Sequence, residues 1–226
     1  DWQYAIKWIR QFVRRGTVLD VGCWDGSFLR QLGKQFELFG LEINPFAADE
    51  AKTKGIKIIG DDLYSVDSYN HKFDVVTAFD VIEHVENPFL FLKSLKSLVN
   101  ENGYLMISSG NSNHWMWKIT KGNNWYCAIP EHISFINEDW LRKTCKLLAL
   151  KIESIERFVH GPDELIGRLL SLFKTLIYYI SPETYESIKR IKRIYNKRKL
   201  HSRDYNLVTV PGLICKDHFW VVLRKL

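Results

Sequence analysis

Val18-Leu19-Asp20-Val21-Gly22-Cys23-Trp24-Asp25-Gly26 is the stretch that decides the fold of this chain. Its first four residues are typical of a central strand that is covered on both faces. Gly22 and Gly26 follow, and glycine lets a backbone turn sharply and approach a ligand closely. Residues 27–32 continue with helical spacing, so the loop leads into a helix. In an open α/β sheet, ligands bind at such a loop beyond the carboxyl end of a strand. Tight strand–helix packing alone would also use these glycines.

Three later strand-like segments end on acidic residues, in the order expected of such a sheet. Residues 37–43 carry Glu42, which lies 20 residues after Gly22. That is about the separation at which a strand-end carboxylate meets the ribose hydroxyls of a nucleotide. Residues 56–63 close on two acids, and residues 73–80 form a fourth strand. An ordinary exposed strand-end acid is the alternative interpretation of Glu42.

Taken together, these segments resemble the class I S-adenosylmethionine-dependent methyltransferases. A further segment is similar to the bacterial small-molecule and glycan methyltransferases related to the quinone O-methyltransferases. It reads Pro130-Glu131-His132-Ile133-Ser134-Phe135 and is followed by a helix and the strand 151–155. The resemblance covers residues 16–158 and the last strand, 218–224. It implies a doubly wound, Rossmann-like α/β fold with a mostly parallel seven-stranded sheet. It also implies S-adenosyl-L-methionine as methyl donor and S-adenosyl-L-homocysteine as product.

One position departs from the family's first motif, Asp-x-Gly-x-Gly-x-Gly. Trp24 stands where the middle glycine is usual, whereas Asp20, Gly22 and Gly26 are in place. We expect Trp24 to have a negative φ, with its ring turned away from the cofactor or partly over it. A nicotinamide fingerprint fits less well, because it requires G-x-G-x-x-G and three residues separate these two glycines.

The resemblance implies which residues hold the cofactor. The loop amides that follow Gly22 would face its amino-acid end, and Glu42 would accept hydrogen bonds from the ribose. Asp61 or Asp62 would receive the adenine amino group, and the other would be a turn residue or helix cap. The predicted cofactor-binding residues are Asp20, Gly22, Cys23, Trp24, Gly26, Glu42, Ile43, Asp61, Asp62, Leu63, Ala78, Phe79 and Val81.

Two histidines are candidates for the general base that removes a proton from an alcohol or phenol. Imidazole suits this role because it titrates near neutral pH. His84 follows the fourth strand, and His132 follows the variable loop after the fifth. For each, the alternative is a structural histidine that bonds a loop carbonyl.

The same variable loop is rich in aromatic residues, which makes it the candidate acceptor site. Aromatic planes stack on sugars or flat rings, although they also anchor lids to a core. No Asn/Asp-Pro-Pro-Tyr motif follows the fourth strand, which disfavours amino-directed methylation of nucleic acid. We therefore predict methyl transfer to an oxygen of a small-molecule, glycan or lipid-linked acceptor. Alternatives are an RNA or protein methyltransferase and a cofactor-binding protein without catalysis. The candidate acceptor-binding residues are Trp115, Trp117, Trp125 and Tyr126.

The 226 residues, 46% hydrophobic and 26% charged, predict a single enzyme domain over residues 1–226. Its core would comprise residues 16–158 and 214–226, with a helical insertion at about 161–213 before the last strand. No signal-peptide pattern opens the sequence, and the four cysteines form no CxxC pair, which favours a reducing cytoplasm. Cys215 and His218 would supply only two metal ligands, so no metal is expected.

The net charge of +6 is concentrated in one arm. Residues 189–203 carry eight positive charges and no acid, so the rest of the chain has a net charge of −2. A solvated helix packed on the domain is the plain interpretation. Peripheral contact of residues 165–203 with the inner face of an anionic membrane, or binding of a phosphate-bearing substrate, is the sharper one. A homodimer is a further prediction, and nucleic acid is the least favoured partner.

Overall fold

A computed structural model describes most of the chain, and its residues divide into two compact units. The first unit comprises residues 1–110, 133–156 and 219–226, and the second comprises residues 111–132 and 157–218. Much of the expected insertion, including the basic arm, lies outside the described residues, although residues 176–180 and 182–185 are helical. The single-domain organisation stays a prediction. The described residues are 2–63, 71–120, 126–127, 129–158, 173, 176–185, 187–188 and 216–226.

Seven strands form one sheet, which confirms the predicted fold class. They are arranged in the order β3-β2-β1-β4-β5-β7-β6. The pairings of β1 with β2 and β4, of β2 with β3, and of β4 with β5 are parallel, and the sheet ends in an antiparallel pair. The order reverses direction at β1, so a crevice opens between β1 and β4, where doubly wound sheets bind ligands. The strands are β1 (Gly16–Val21), β2 (Phe36–Leu41), β3 (Lys57–Gly60), β4 (Phe73–Phe79), β5 (Val99–Gly110), β6 (Leu150–Phe158) and β7 (His218–Lys225).

Two helices that flank the crevice begin at asparagine caps. The Asn44 side chain accepts a hydrogen bond from the backbone N–H of Phe46 at 3.0 Å, and Asn87 accepts one from Leu90 at 3.0 Å. A proline follows each asparagine, where its missing N–H is harmless. Each cap stabilises its helix by about 1 kcal/mol. The helices are α1 (Gln3–Phe12), α2 (Ser27–Arg30), α3 (Pro45–Thr53), the 3-10 helix Ile82–His84, α4 (Pro88–Leu98), α5 (Trp115–Thr120) and α6 (Glu138–Leu147).

The central strand β4 is buried on both faces. Val76 packs in a cluster that includes Leu92 and Leu95 of α4, whereas the neighbouring Val75 points to the opposite face and is also fully buried. Because both faces are covered, apolar and polar residues do not alternate along the strand, and Asp74 and Thr77 are its polar residues. Among the described residues, no helix combines the length and the apolar composition needed to cross a lipid bilayer.

Candidate active site

A cavity of about 270 Å³ lies in the first unit at the carboxyl ends of β1 and β2. Seven residues that the sequence predicts for cofactor binding line it, and both candidate adenine-binding acids are among them. Five further residues of its wall were not predicted. The predicted lining residues are Gly22, Glu42, Ile43, Asp61, Asp62, Leu63 and Val81, and the others are Val21, Leu41, Val85, Phe91 and Ser94.

Glu42 joins two loops at the mouth of this cavity. Its Oε2 accepts a hydrogen bond from the backbone N–H of Trp24, and its Oε1 accepts one from Asn44, both at 2.8 Å. The residue is buried, so the two amides hold its carboxylate in one orientation. Each carboxylate oxygen accepts more than one hydrogen bond, so capacity remains for the hydroxyls of a ligand.

The backbone conformation of Gly22 and the atoms around it both disfavour any other amino acid at this position. Its φ is +76°, and a Cβ atom built on it would lie 2.8 Å from Cγ2 of Val81. The backbone N–H groups of Gly22 and Cys23 both donate to the carbonyl of Leu41, at 2.9 and 3.1 Å. The loop therefore passes close to the end of β2, and the absent side chain lets Val81 pack closely against the Gly22 backbone.

Asp25 ties the far end of the same loop to helix α3. Its Oδ2 lies 2.5 Å from Nζ of Lys54, and its two oxygens accept hydrogen bonds from Ser27. The hydrogen bond from Lys54 is the main reason that the pKa of Asp25 falls to about 2. Asp25 therefore stays ionised and keeps the loop attached to α3 across the neutral pH range.

The expectation of a negative φ at Trp24 is wrong. Trp24 has φ +49°, because its N–H must point at the Glu42 carboxylate, and the loop keeps the left-handed turn that glycine usually supplies here. This conformation costs a non-glycine residue about 1–2 kcal/mol. The side chain is 61% exposed and does not line the cavity.

We expect Trp24→Gly to leave ligand binding intact and to relieve backbone strain. Trp24→Ala is the matched comparison, because alanine removes the indole but keeps the Cβ that opposes the left-handed turn. The glycine variant should be more stable than the alanine variant by up to about 1 kcal/mol, after the larger unfolded-state entropy of glycine is included. Urea unfolding measures this difference. If the glycine variant bound S-adenosylhomocysteine more than about 10-fold tighter than the wild type, the indole would instead be an obstruction.

The remaining predicted cofactor residues support the cavity from outside its lining. Asp20 is buried, and its Oδ1 accepts a hydrogen bond from the Thr77 hydroxyl at 2.6 Å. Burial, with a smaller contribution from the negative charge of Glu42, raises the pKa of Asp20 to about 7. Cys23 is also buried, which raises the pKa of its thiol to about 12. Gly26, Ala78 and Phe79 complete this group outside the lining.

Phe91 and Ser94 show what sequence reasoning missed in the cavity. Both lie on α4, three residues apart, and therefore on one face of the helix. The amphipathic pattern of α4 indicates that this face is buried. It does not indicate that the face covers the crevice, because that depends on how α4 packs across β4.

His84 is placed beside the cavity. It ends the 3-10 helix, lies between the lining residues Val81 and Val85, and has an exposed side chain. Its backbone N–H donates to the carbonyl of Val81 at 2.9 Å, so the turn is closed by the backbone alone. The role of His84 as general base stays a prediction.

His132 and the aromatic residues lie in the second unit. The carbonyl of Tyr126 accepts a hydrogen bond from Nδ1 of His132 at 2.8 Å, which is the arrangement of a structural histidine. Trp117 is buried, and its Nε1–H donates to the Asp217 carboxylate at 3.2 Å. These contacts match the alternative in which the aromatics anchor a loop.

The acceptor-binding role of the four aromatic residues is untested. Tyr126 is buried, with its ring 5.5 Å from that of Trp117, whereas Trp115 is half exposed. Trp125 lies outside the described residues, as does Cys215. Trp115 is therefore the described member of this set whose ring is best placed to meet a ligand.

A family model described as a methyltransferase domain matches residues 3–155. The chain belongs to this family. The match extends from α1 into β6, and it includes the loop at Gly22, Glu42 and the 3-10 helix. The resemblance drawn from the sequence motifs is therefore confirmed.

Relatives and solved structures agree with this assignment. The ubiquinone biosynthesis O-methyltransferase of Vibrio cholerae is 27% identical over 159 residues, which cover 64% of this chain and 65% of the relative. The match thus spans just under two thirds of that relative's length. Among solved structures, the YcgJ protein of Bacillus subtilis has a TM-score of 0.61 at 13% identity, covering 98% of both chains. The magnesium protoporphyrin IX methyltransferase of Synechocystis PCC 6803, with bound SAH, has a TM-score of 0.58 at 15% identity over 99% of this chain and 81% of its own. Both share the fold of this chain.

Proposed function

We propose that this protein transfers a methyl group from S-adenosylmethionine to an oxygen atom of a small-molecule, glycan or lipid-linked acceptor. One observation carries the cofactor assignment. The buried Glu42 carboxylate is held by two backbone amides beside a cavity that Asp61 and Asp62, just after β3, also line. A nucleoside requires an acceptor for its ribose hydroxyls and another for its adenine amino group.

The residues of the cavity fit an adenosine group. Ile43, Leu63 and Phe91 supply apolar walls for a flat ring, and the backbone of Gly22 forms part of the cavity wall. The cavity is close to the lower end of the 300–1,000 Å³ range that is usual for ligand pockets. A predominantly apolar lining with a few fixed polar groups is the usual composition of such a site.

When bound, S-adenosylmethionine supplies a methyl group that is already activated by the adjacent sulfonium. The protein therefore has to align an acceptor oxygen and exclude water rather than activate the donor. Glu42 and the loop at Gly22 would fix the position of the nucleoside. His84 would accept the hydroxyl proton of the acceptor on an imidazole nitrogen.

The choice of an oxygen acceptor rests on the relatives and on one absent motif. The Vibrio cholerae relative named above is an O-methyltransferase. The sequence after β4 reads Phe79-Asp80-Val81-Ile82, without the Asn/Asp-Pro-Pro-Tyr motif of amino-directed enzymes. The cytoplasmic location, the membrane contact through residues 165–203 and the homodimer stay predictions, because no contact of the described residues bears on them.

Titration calorimetry tests the cofactor assignment. We expect S-adenosylmethionine and S-adenosylhomocysteine to bind with dissociation constants of about 1–100 μM, whereas NAD should not bind. Transfer of a labelled methyl group to 3,4-dihydroxybenzoate, a phenolic probe, then tests the acceptor class. Failure of both adenosyl ligands to bind would contradict the assignment. Binding without transfer to any hydroxyl acceptor would contradict the oxygen acceptor alone.

A further inference from the structure

Glu83 is a buried acid that the proposed chemistry does not yet use. Glu83 is only 1% exposed, although it lies in the short 3-10 helix after β4 and precedes the candidate base His84. Its Oε2 accepts a hydrogen bond from the hydroxyl of Ser109, at the end of β5, at 3.1 Å. A buried carboxylate is costly unless it is hydrogen-bonded or paired, so such a group needs a structural or chemical reason.

The backbone of Glu83 is held as firmly as its side chain. Its carbonyl accepts hydrogen bonds from the N–H groups of Ile133 and Ser134, at 2.9 and 3.0 Å. The hydroxyl of Ser134 in turn donates to the carbonyl of Val85 at 2.6 Å. The 3-10 helix is thus attached both to the end of β5 and to residues 133–134, all within the first unit. The contacts with Ser109 and with residues 133–134 therefore fix the position of Glu83 on this short helix.

The carboxylate of Glu83 lies close to the imidazole of His84. A carboxylate oxygen of Glu83 and a ring nitrogen of His84 are within 4.8 Å of one another. This distance suits a bridge through one water molecule, or a direct hydrogen bond that tightens when a ligand binds. A carboxylate that faces one ring nitrogen selects the tautomer that carries its proton there. The other nitrogen is then left as the base.

We propose that Glu83 is a positioning residue for His84, acting in the chain Ser109–Glu83–His84. This inference rests on the proposed function, in which His84 is the base. The acceptor O–H bond breaks, its proton goes to the His84 nitrogen that faces away from Glu83, and the acceptor oxygen forms its new bond to the methyl carbon as the carbon–sulfur bond breaks. The Glu83 carboxylate orients and stabilises the imidazolium, which is the role of the third group in a nucleophile–base–orienter arrangement.

Glu83→Gln tests the proposal, because it keeps the shape and the acceptor for Ser109 but removes the charge. Glu86→Gln is the matched control, since Glu86 is an exposed acid three residues along the same segment. The ¹⁵N shifts of His84, assigned with His84→Gln, report its tautomer. We expect Glu83→Gln to change the tautomer ratio of His84. It should also lower kcat for 3,4-dihydroxybenzoate by about 10–100-fold, which does not exceed the effect of removing a general base. The dissociation constant for S-adenosylhomocysteine should stay within about 3-fold of the wild type, since Glu83 does not line the cavity.

Ser109→Ala provides a second, milder variant that keeps the charge of Glu83. We expect it to change the tautomer ratio in the same direction, with a smaller loss of kcat and unchanged ligand binding. An unchanged His84 tautomer in both variants would overturn the proposal, whether or not the probe is methylated. Broadening of the His84 signals by added Zn²⁺ that Glu83→Gln abolishes would also overturn it, in favour of a metal ligand. Failure of the wild type to bind S-adenosylhomocysteine would instead refute the proposed function, which separates the two results.

Discussion

Glu42→Gln should weaken the binding of S-adenosylhomocysteine about 100-fold, which corresponds to about 2.7 kcal/mol. The carboxylate accepts hydrogen bonds from Trp24 on one oxygen and from Asn44 on the other. A glutamine supplies one acceptor, and its NH₂ group would face the second backbone N–H. The loop at the cavity mouth must then shift, and the ligand loses a charged acceptor for its ribose hydroxyls. Hydrogen bonds to charged groups are worth about 1.5–3 kcal/mol each.

Calorimetry of the folded variant measures this effect, and Glu37→Gln is its control. Glu37 lies near the start of β2, whereas Glu42 follows the end of that strand. The side chain of Glu37 is exposed and pairs with Lys57. The control should bind like the wild type. A dissociation constant for Glu42→Gln within about 3-fold of the wild type would show that the ribose is held elsewhere, and the proposed orientation of the nucleoside would be wrong.

Asp20→Asn should remove a pH-dependent loss of stability. The pKa of Asp20 is raised from 3.8 to about 7, mainly by burial. A raised native pKa means that the stabilising effect of this group is complete below pH 3.8 and is lost as the pH rises toward 7. About 1.4 kcal/mol per pKa unit gives a loss of about 4 kcal/mol across this window, with no further change above it. Asparagine keeps an acceptor for the Thr77 hydroxyl but carries no charge at any pH.

The difference in unfolding free energy between Asp20→Asn and the wild type should therefore increase by about 4 kcal/mol from pH 4 to pH 8. Urea unfolding at several pH values measures it, and taking the difference cancels the titration of groups that do not interact with Asp20. Asp49→Asn, at an exposed acid paired with Lys52, should give a difference that is nearly constant with pH. Parallel curves for Asp20→Asn and the wild type would mean that Asp20 is ionised in the folded protein.

Several parts of the site were predictable from the sequence because they are local. The turn at Gly22 follows from glycine between a buried strand and a helix, and a strand-end acid at the spacing of Glu42 predicts a ribose contact. The structure brings both to one cavity, together with Asp61 and Asp62. These features depend on the loops at the ends of parallel strands, whose place in the sheet is set by the strand pattern itself.

Trp24 shows where a local rule failed. A side chain disfavours positive φ, so the sequence predicts a negative value, but a hydrogen bond to the distant Glu42 carboxylate holds the residue at φ +49°. Such conformations persist where surrounding contacts outweigh the local cost, and they cluster at functional sites. Trp117 makes the same point: its indole is anchored by Asp217, 100 residues later, which no local pattern indicates.

The sequence by itself determined the buried strand at residues 18–21, the glycine loop that follows it and the acid after the second strand, because each depends on residues close together in the chain. Only the tertiary structure decided that α4 closes the cavity through Phe91 and Ser94, that the Asp20 carboxylate bonds Thr77, and that Glu83 is buried against Ser109. These are contacts between segments far apart in the chain, and they follow from how helices pack across the sheet.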